Sequence, residues 1–164
     1  KSAAQFDEAK LRWVNAQHLK ATDDQALATL VAAQLRGRGI EPDDRLPRIC
    51  GLFKDRCDTT VALATWAAKF YGDVTPDATE HAQHVTDAVR PAVALLAEKL
   101  ATCVWDKASI AAAIKEVLAA HAMKMPQLAM PVRVLVLGTS QTPSLDAVLE
   151  LCGKEKVLAR LAID

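Results

Sequence analysis

Aromatic side chains make up only 4% of this 164-residue chain, and glycine occupies only six positions. An all-β sandwich or barrel draws on aromatic cross-strand pairs and glycine-rich turns, so their scarcity argues against that class. Long apolar runs are also missing. None approaches 18 residues, and no transmembrane helix is expected. The opening Lys1 to Asp7 has no apolar stretch of the kind that a signal peptide needs, so none is expected either. Charge of one sign is lacking too: 20 basic and 20 acidic residues give a net charge of zero. Nucleic-acid binding driven by bulk charge usually needs a basic protein, so any such contact here must come from a few placed residues or be shared with another part of the protein. The four cysteines, Cys50, Cys57, Cys103 and Cys152, show no paired metal or redox spacing and read as reduced core cysteines. No glycine-rich phosphate loop and no Ser/His/Asp arrangement is present, so the chain offers no active site of its own.

What the chain does have is 51% hydrophobic residues, which excludes a disordered tail, and a length that suits one domain or two small packed subdomains. Apolar positions recur at helical spacing almost throughout. Leu11, Val14 and His18 follow Asp7 as a cap. Thr22 with Gln25 forms a capping-box pattern ahead of Leu27, Leu30, Val31 and Leu35, and Gly37 and Gly39 stop that helix. Leu46 to Cys57 reads as a helix, with Asp58 capping the next one to Phe70. Thr75-Pro76 opens a helix carrying Val85 and Val89. Pro91 interrupts it, and Val93, Leu96, Leu100 and Cys103 continue the core pattern. Asp106 caps the helix of Ile110, Ile114, Val117, Leu118 and His121, the last read as a core histidine. The break at Gly72–Pro76 divides the chain in two.

Residues 131–145 read PVRVLVLGTSQTPSL: a single arginine in an apolar segment that stops at Gly138, a short polar loop, then Thr142-Pro143 opening a new helix. Propensity favours a strand over Val132 to Leu137, yet Pro131 also suits a helical first turn and no pairing strand is nearby. Arg56 stands out as an arginine on the apolar stripe of Ile49 and Leu52; a helix end whose arginine reaches solvent or bonds the last carbonyls fits the same pattern. Arg45 and Arg48 share a face, able to touch phosphates or to pair with Asp43 and Asp44. His81 and His84 make half a metal site with nothing to complete it. Trp13 reads as a packing anchor, and Trp66 and Trp105 as core or interface residues.

The run from Pro131 through Gly153-Lys154-Glu155 resembles the C-terminal end of bacterial glutamyl-tRNA synthetases. Phe6, Lys10, Leu11, Trp13, Asn15, His18 and Leu19 are similar to the run where that family leaves its catalytic half. Leu52 to Thr59 and Trp105 to Ala108 resemble the connecting helices, so the likeness covers nearly the whole chain in order.

The resemblance implies an all-α fold of two packed helical subdomains forming an anticodon-binding cage. Residues 1–20 would end the stem-contact region, and 21–72 and 73–164 would be the two anticodon-binding subdomains. It implies helix over Val132 to Leu137. Arg56 aligns with the arginine that reads the third anticodon letter, where glutamate tRNA has cytosine and glutamine tRNA has guanine. A donor-only guanidinium suits the N3 and O2 acceptors of cytosine and opposes the donors of guanine. Arg133, Thr142, Pro143, Ser144 and Leu145 align with the group that handles the first two letters; many members have glycine in place of Ser144. Physically, Arg133 can meet base edges, exposed N–H and C=O groups around 142–144 can bond them, and Pro143 and Leu145 offer an apolar surface to an unstacked base.

The whole protein implied is a cytoplasmic, monomeric class I glutamate–tRNA ligase. It would use ATP and Mg²⁺, with tRNA-Glu and its own N-terminal catalytic domain as partners and no membrane or DNA. The histidine- and lysine-containing signature motifs of that catalytic half do not occur here, so no cofactor and no metal is expected in this chain. A self-standing helical scaffold, with Arg56 and Arg133 as surface or salt-bridge residues, is the alternative; a hydrolase using Cys57 or Cys103 with a histidine is a more distant one.

Overall fold

The computed structural model describes residues 2–163, with side chains from Glu8 onward. Among the described residues there are ten α-helices, one 3₁₀ turn and no strand. Spatial proximity divides the chain into two compact units, Lys1–Gly72 and Asp73–Asp164.

In the first unit, α1 (Ser2–Ala21) already runs through Asp7, so that residue is not its cap. Leu11, Trp13 and Val14 lie exposed on it, Trp13 at 64%, so Trp13 anchors no packing within this unit. The cap of α2 (Asp24–Gly37) falls one residue later than the sequence pattern suggests: Asp23 Oδ2 accepts from the backbone N–H groups of Gln25 (3.0 Å) and Ala26 (3.2 Å). The Thr22 hydroxyl is turned the other way, donating back to the His18 carbonyl at 2.6 Å and closing α1. Leu27, Val31 and Leu35 bury their side chains and Leu30 faces solvent. Gly39, at φ +80°, ends the helix in a conformation that glycine adopts freely.

The helix expected from Leu46 to Cys57 closes sooner. The α3 helix spans Leu46–Phe53 and tightens into a 3₁₀ turn, Lys54–Arg56. Thr59, not Asp58, caps α4 (Thr60–Ala68), its hydroxyl accepting from the Ala62 N–H at 3.0 Å. Helices α2, α3 and α4 pack on one another around Phe53, which stacks on Trp66 (centroids 4.8 Å apart) and meets the edge of Phe70 (5.7 Å). Gln34 Nε2 donates to Thr60 Oγ1 at 2.8 Å, linking α2 to α4.

In the second unit, Asp77 caps α5 (Ala78–His84), two residues beyond the expected Thr75 start. Pro91 does not interrupt a helix; it lies in the first turn of α6 (Arg90–Thr102), where a missing N–H costs nothing. Asp106 caps α7 (Lys107–Ala120) by accepting from the Ser109 N–H at 2.7 Å, as its position suggests. Ile110, Ile114 and Val117 are buried, Leu118 only partly, and His121 ends the helix exposed rather than in the core.

Val132 to Leu137 is helical. The α8 helix begins at Met125, which puts Pro131 in its interior and not at its first turn, and Gly138 caps it at φ +84°. The buried burden of Leu128, Val132, Val134, Leu135, Val136 and Leu137 explains why local β-propensity loses: tertiary burial on several sides outweighs it. Helix α9 (Leu145–Cys152) starts at the Ser144 cap, leaving Pro143 outside the helix, and α10 (Lys154–Leu161) follows the Gly153 turn. The bundle is closed by contacts of α10 with α6, α8 and α9, and of α7 with α6 and α9. Polar ties hold its ends: Arg160 Nη1 donates to the Val136 carbonyl at 2.8 Å, and Lys154 Nζ to those of Ala101 and Cys103 at 3.1 Å each. Trp105 Nε1 donates to the Glu150 carbonyl at 3.2 Å.

Candidate nucleic-acid interface

The second unit brings three of the sequence-selected residues to one concavity. A cavity of about 390 Å³ is lined by Ala111, Ile114 and Lys115 of α7, Met125 and Arg133 of α8, and Ser144, Leu145 and Asp146 at the start of α9. Its walls are mostly apolar, with two cations and one carboxylate at the margins. That is the lining an unstacked base needs: a surface for its face and polar groups for its edge. Arg133 is half-buried and sends Nη2 to the Pro143 carbonyl at a long 3.5 Å. The Thr142 hydroxyl donates to the same carbonyl at 3.0 Å, and Thr142 is 6% exposed. Leu145 is also buried, at 5%, so it presents only a narrow face to the cavity.

Two carbonyls that looked available from the sequence are engaged internally: that of Pro143 as just described, and that of Ser144 by the Val148 N–H at 3.1 Å. The Ser144 side chain is exposed and makes no capping bond. The N–H groups of Leu145 and Asp146 take no partner among the described residues, as the first turn of a helix leaves them. The cavity margin is therefore richer in donors than in acceptors.

The loop that leads to it, residues 139–144, is held from a distance. Glu80 of α5 accepts the Ser140 hydroxyl at 2.6 Å on one carboxylate oxygen and the Ser140 N–H at 3.1 Å on the other. The Ser140 hydroxyl chiefly holds the Glu80 carboxyl below the usual carboxylate range. The Asp77 N–H donates to the Gly138 carbonyl at 3.0 Å.

In the first unit, Arg56 lies exposed in the 3₁₀ turn and makes no hydrogen bond or ion pair among the described residues. The turn beneath it is tied down: Lys54 Nζ bonds the Asp24 carboxylate at 2.9 Å and the Thr22 carbonyl at 3.0 Å. Arg45 is occupied. Its Nε lies 2.8 Å from Asp43 Oδ2, its guanidinium sits 4.9 Å over the Tyr71 ring, and the Tyr71 hydroxyl donates to Asp43 Oδ1 at 2.9 Å. Burial and that bond to Asp43 push the Tyr71 hydroxyl up to about 12. Arg45 stands just before α3 as its N-cap residue, and Arg48 is exposed within that helix.

Burial, with the Asp24 charge second, raises the Cys50 thiol to about 12; burial, then Asp58, raises that of Cys57 to about 11, neither poised as a nucleophile. Among the described residues no three His, Cys, Asp or Glu side chains converge to hold a metal.

Lys115, Met125, Asp146 and Glu80 were not singled out by the sequence. Lys115 and Glu80 gain their places from helices remote in the chain, whereas Met125 shares α8 with Arg133 and Asp146 follows Leu145.

A family model described as an anticodon binding domain matches residues 12–163. The chain is similar to the glutamate–tRNA ligase of Albidiferax ferrireducens, 73% identical over 161 residues, covering 98% of this chain and 35% of that protein. It is also similar to that of Paracidovorax citrulli, 70% identical over 165 residues, covering 98% and 34%. It thus spans about a third of the length of the curated relatives that it matches. A crystal structure of a glutamate tRNA ligase from Elizabethkingia meningosepticum superposes with a TM-score of 0.83 at 20% identity, over 92% of this chain and 30% of that one, a likeness of fold. With the family model running over nearly its full length, the chain belongs to the anticodon binding domain family.

Proposed function

We propose that this chain is the anticodon-reading, C-terminal region of a glutamate–tRNA ligase and that it discriminates glutamate tRNA from glutamine tRNA. The observation that carries the reading is the meeting of Arg133, Ser144 and Leu145 on one apolar cavity with a donor-rich margin. The high identity to named glutamate–tRNA ligases supports the choice of amino acid. Unpaired pyrimidines present acceptors at O2, and cytosine also at N3. Arg133 and the first N–H groups of α9 suit such edges, while Pro143 and the exposed sliver of Leu145 suit the ring face.

Arg56 is the reader of the third letter in this proposal. Its exposure on a turn pinned by Lys54 leaves five donors facing outward, which favour cytosine over guanine. Arg45, held by Asp43 and Tyr71, is a fixed cation near the same helix and could meet a phosphate without losing its own contacts, with Arg48 beside it.

In the whole enzyme, glutamate would be activated with ATP and Mg²⁺ in a catalytic half and passed to the tRNA end in the cytoplasm.

Fluorescence anisotropy of this chain with a glutamate-tRNA anticodon stem-loop, beside its third-letter cytosine-to-guanine variant, tests the reading at two salt concentrations. Preference for the cytosine version supports it. Equal binding erased by salt, or no binding at low salt, counts against it and toward a helical scaffold.

A further inference from the structure

The helix that carries Glu80 is capped in an unusual way. Asp77 is its N-cap and Glu80 is the third helical residue, the pairing in which a glutamate ordinarily bonds back to the N–H of the cap. Here the Asp77 N–H is taken by the Gly138 carbonyl at 3.0 Å. Glu80 is diverted to Ser140, sixty positions along the chain, and uses both carboxylate oxygens on it, at 2.6 and 3.1 Å.

Ser140 is 5% exposed, so without Glu80 its hydroxyl and N–H would be buried donors with no acceptor. The other bonds of the 139–144 loop come from nearer in the chain or are weaker: the Gln141 N–H to Thr139 Oγ1 at 3.2 Å, the Thr142 hydroxyl to the next carbonyl at 3.0 Å and Arg133 Nη2 to that carbonyl at 3.5 Å, while the Thr139 hydroxyl adds to the hold on Glu80. A carboxylate that grips two donors of one residue fixes both the place and the orientation of that residue. Thr142 follows only two residues later, and then comes the Pro143 carbonyl on which Thr142 and Arg133 converge.

We propose that Glu80 is a positioning residue for anticodon recognition: from α5 it sets the 139–144 loop so that residues 142–145 and Arg133 meet the RNA in one geometry. This rests on the reading that those residues contact the first two anticodon letters. Glu80 itself need not touch the RNA. The low-lying carboxyl keeps the clamp charged at neutral pH.

The test is Glu80→Ala in this chain, with Glu80→Gln beside it, read by two measurements. In anisotropy with the cognate stem-loop and its single-letter variants, Glu80→Ala should weaken binding about tenfold, the loss of one charge-assisted contact. It should narrow discrimination at the first two letters and leave the third-letter ratio unchanged. Glu80→Gln, whose amide oxygen can still accept one of the two donors, should recover part of the loss. In amide exchange on the free chain, residues 139–142 should exchange faster in Glu80→Ala while α6 and α7 keep parent protection.

Parent-like binding by Glu80→Ala overturns the proposal. So does a loss that falls equally on all three letters, because that is general destabilisation. If the parent chain binds no stem-loop, the anticodon reading fails by itself and exchange alone judges the clamp: unchanged exchange at 139–142 overturns it, and faster exchange confined there upholds it.

Discussion

Truncating Phe53 to alanine should remove a large share of the stability of the first unit and loosen the platform for Arg56. Phe53 is fully buried, stacks on Trp66 at 4.8 Å and meets Phe70 edge-on at 5.7 Å. Loss of a buried phenylalanine to alanine costs about 3–5 kcal/mol, part of it the two ring contacts. A unit of this length, Lys1–Gly72, commands about 4–11 kcal/mol in all. Phe53→Ala should therefore remove about half of that stability at the middle of both ranges. Phe53→Leu keeps most of the apolar burial and should cost about 1–2 kcal/mol. Urea titration followed by amide exchange in α2, α3 and α4 measures both. Because the 3₁₀ turn begins one residue after Phe53, third-letter discrimination should fall with the protection of α3. Alanine and parent proteins within about 1 kcal/mol of each other in these helices would refute the reasoning, since a ring with no solvent exposure would then contribute almost nothing.

Arg56→Gln should reduce third-letter discrimination by about 1–3 kcal/mol, roughly 5- to 150-fold, while its melting curve stays at the parent value because the side chain is exposed; stem-loop anisotropy checks the first and circular dichroism the second. Val117→Asp should destabilise the second unit by about 3–5 kcal/mol by burying an unpaired charge at a fully buried site, seen as a lowered melt or an insoluble product. The first unit should lose stability as pH rises. The folded chain keeps the Cys50 thiol protonated to about 12 and that of Cys57 to about 11, whereas both ionise near 9.0 when unfolded. Between those values the unfolded chain binds fewer protons, so stability is whole below about pH 9 and falls by up to about 1.4 kcal/mol per thiol for each further pH unit; urea midpoints from pH 8 to 10.5 measure the slope, and a flat profile would contradict it.

Much of the site was within reach of the sequence because arginines in apolar segments are conspicuous wherever they occur. Its geometry was not. Arg56 looked like an arginine on the stripe of Ile49 and Leu52, but that inference assumed 3.6 residues per turn through Cys57. The chain tightens to a 3₁₀ turn at Lys54, each residue there turns further about the axis, and Arg56 swings off the stripe into solvent. Thr142-Pro143 read as a helix start, whereas the helix begins after Ser144 and the Thr142 hydroxyl turns to the Pro143 carbonyl.

The sequence by itself determined the helical class, the place of most helices and the central core positions. These depend on apolar spacing and on short polar side chains that cap their own helix, both local properties: Leu27, Val31 and Leu35, or Asp106 with Ser109, need no distant partner to be recognised. Where two neighbours compete for one cap, as Thr22 with Asp23 or Asp58 with Thr59, local pattern misses by a residue, since the choice depends on which side chain the backbone turns toward the free N–H groups. Only the tertiary structure decided that Lys115, Met125 and Asp146 would share a cavity with Arg133, and that Glu80 would grip Ser140. Contacts across sixty residues are set by how helices stack, and stacking is a property of whole buried faces that no single stretch of sequence displays.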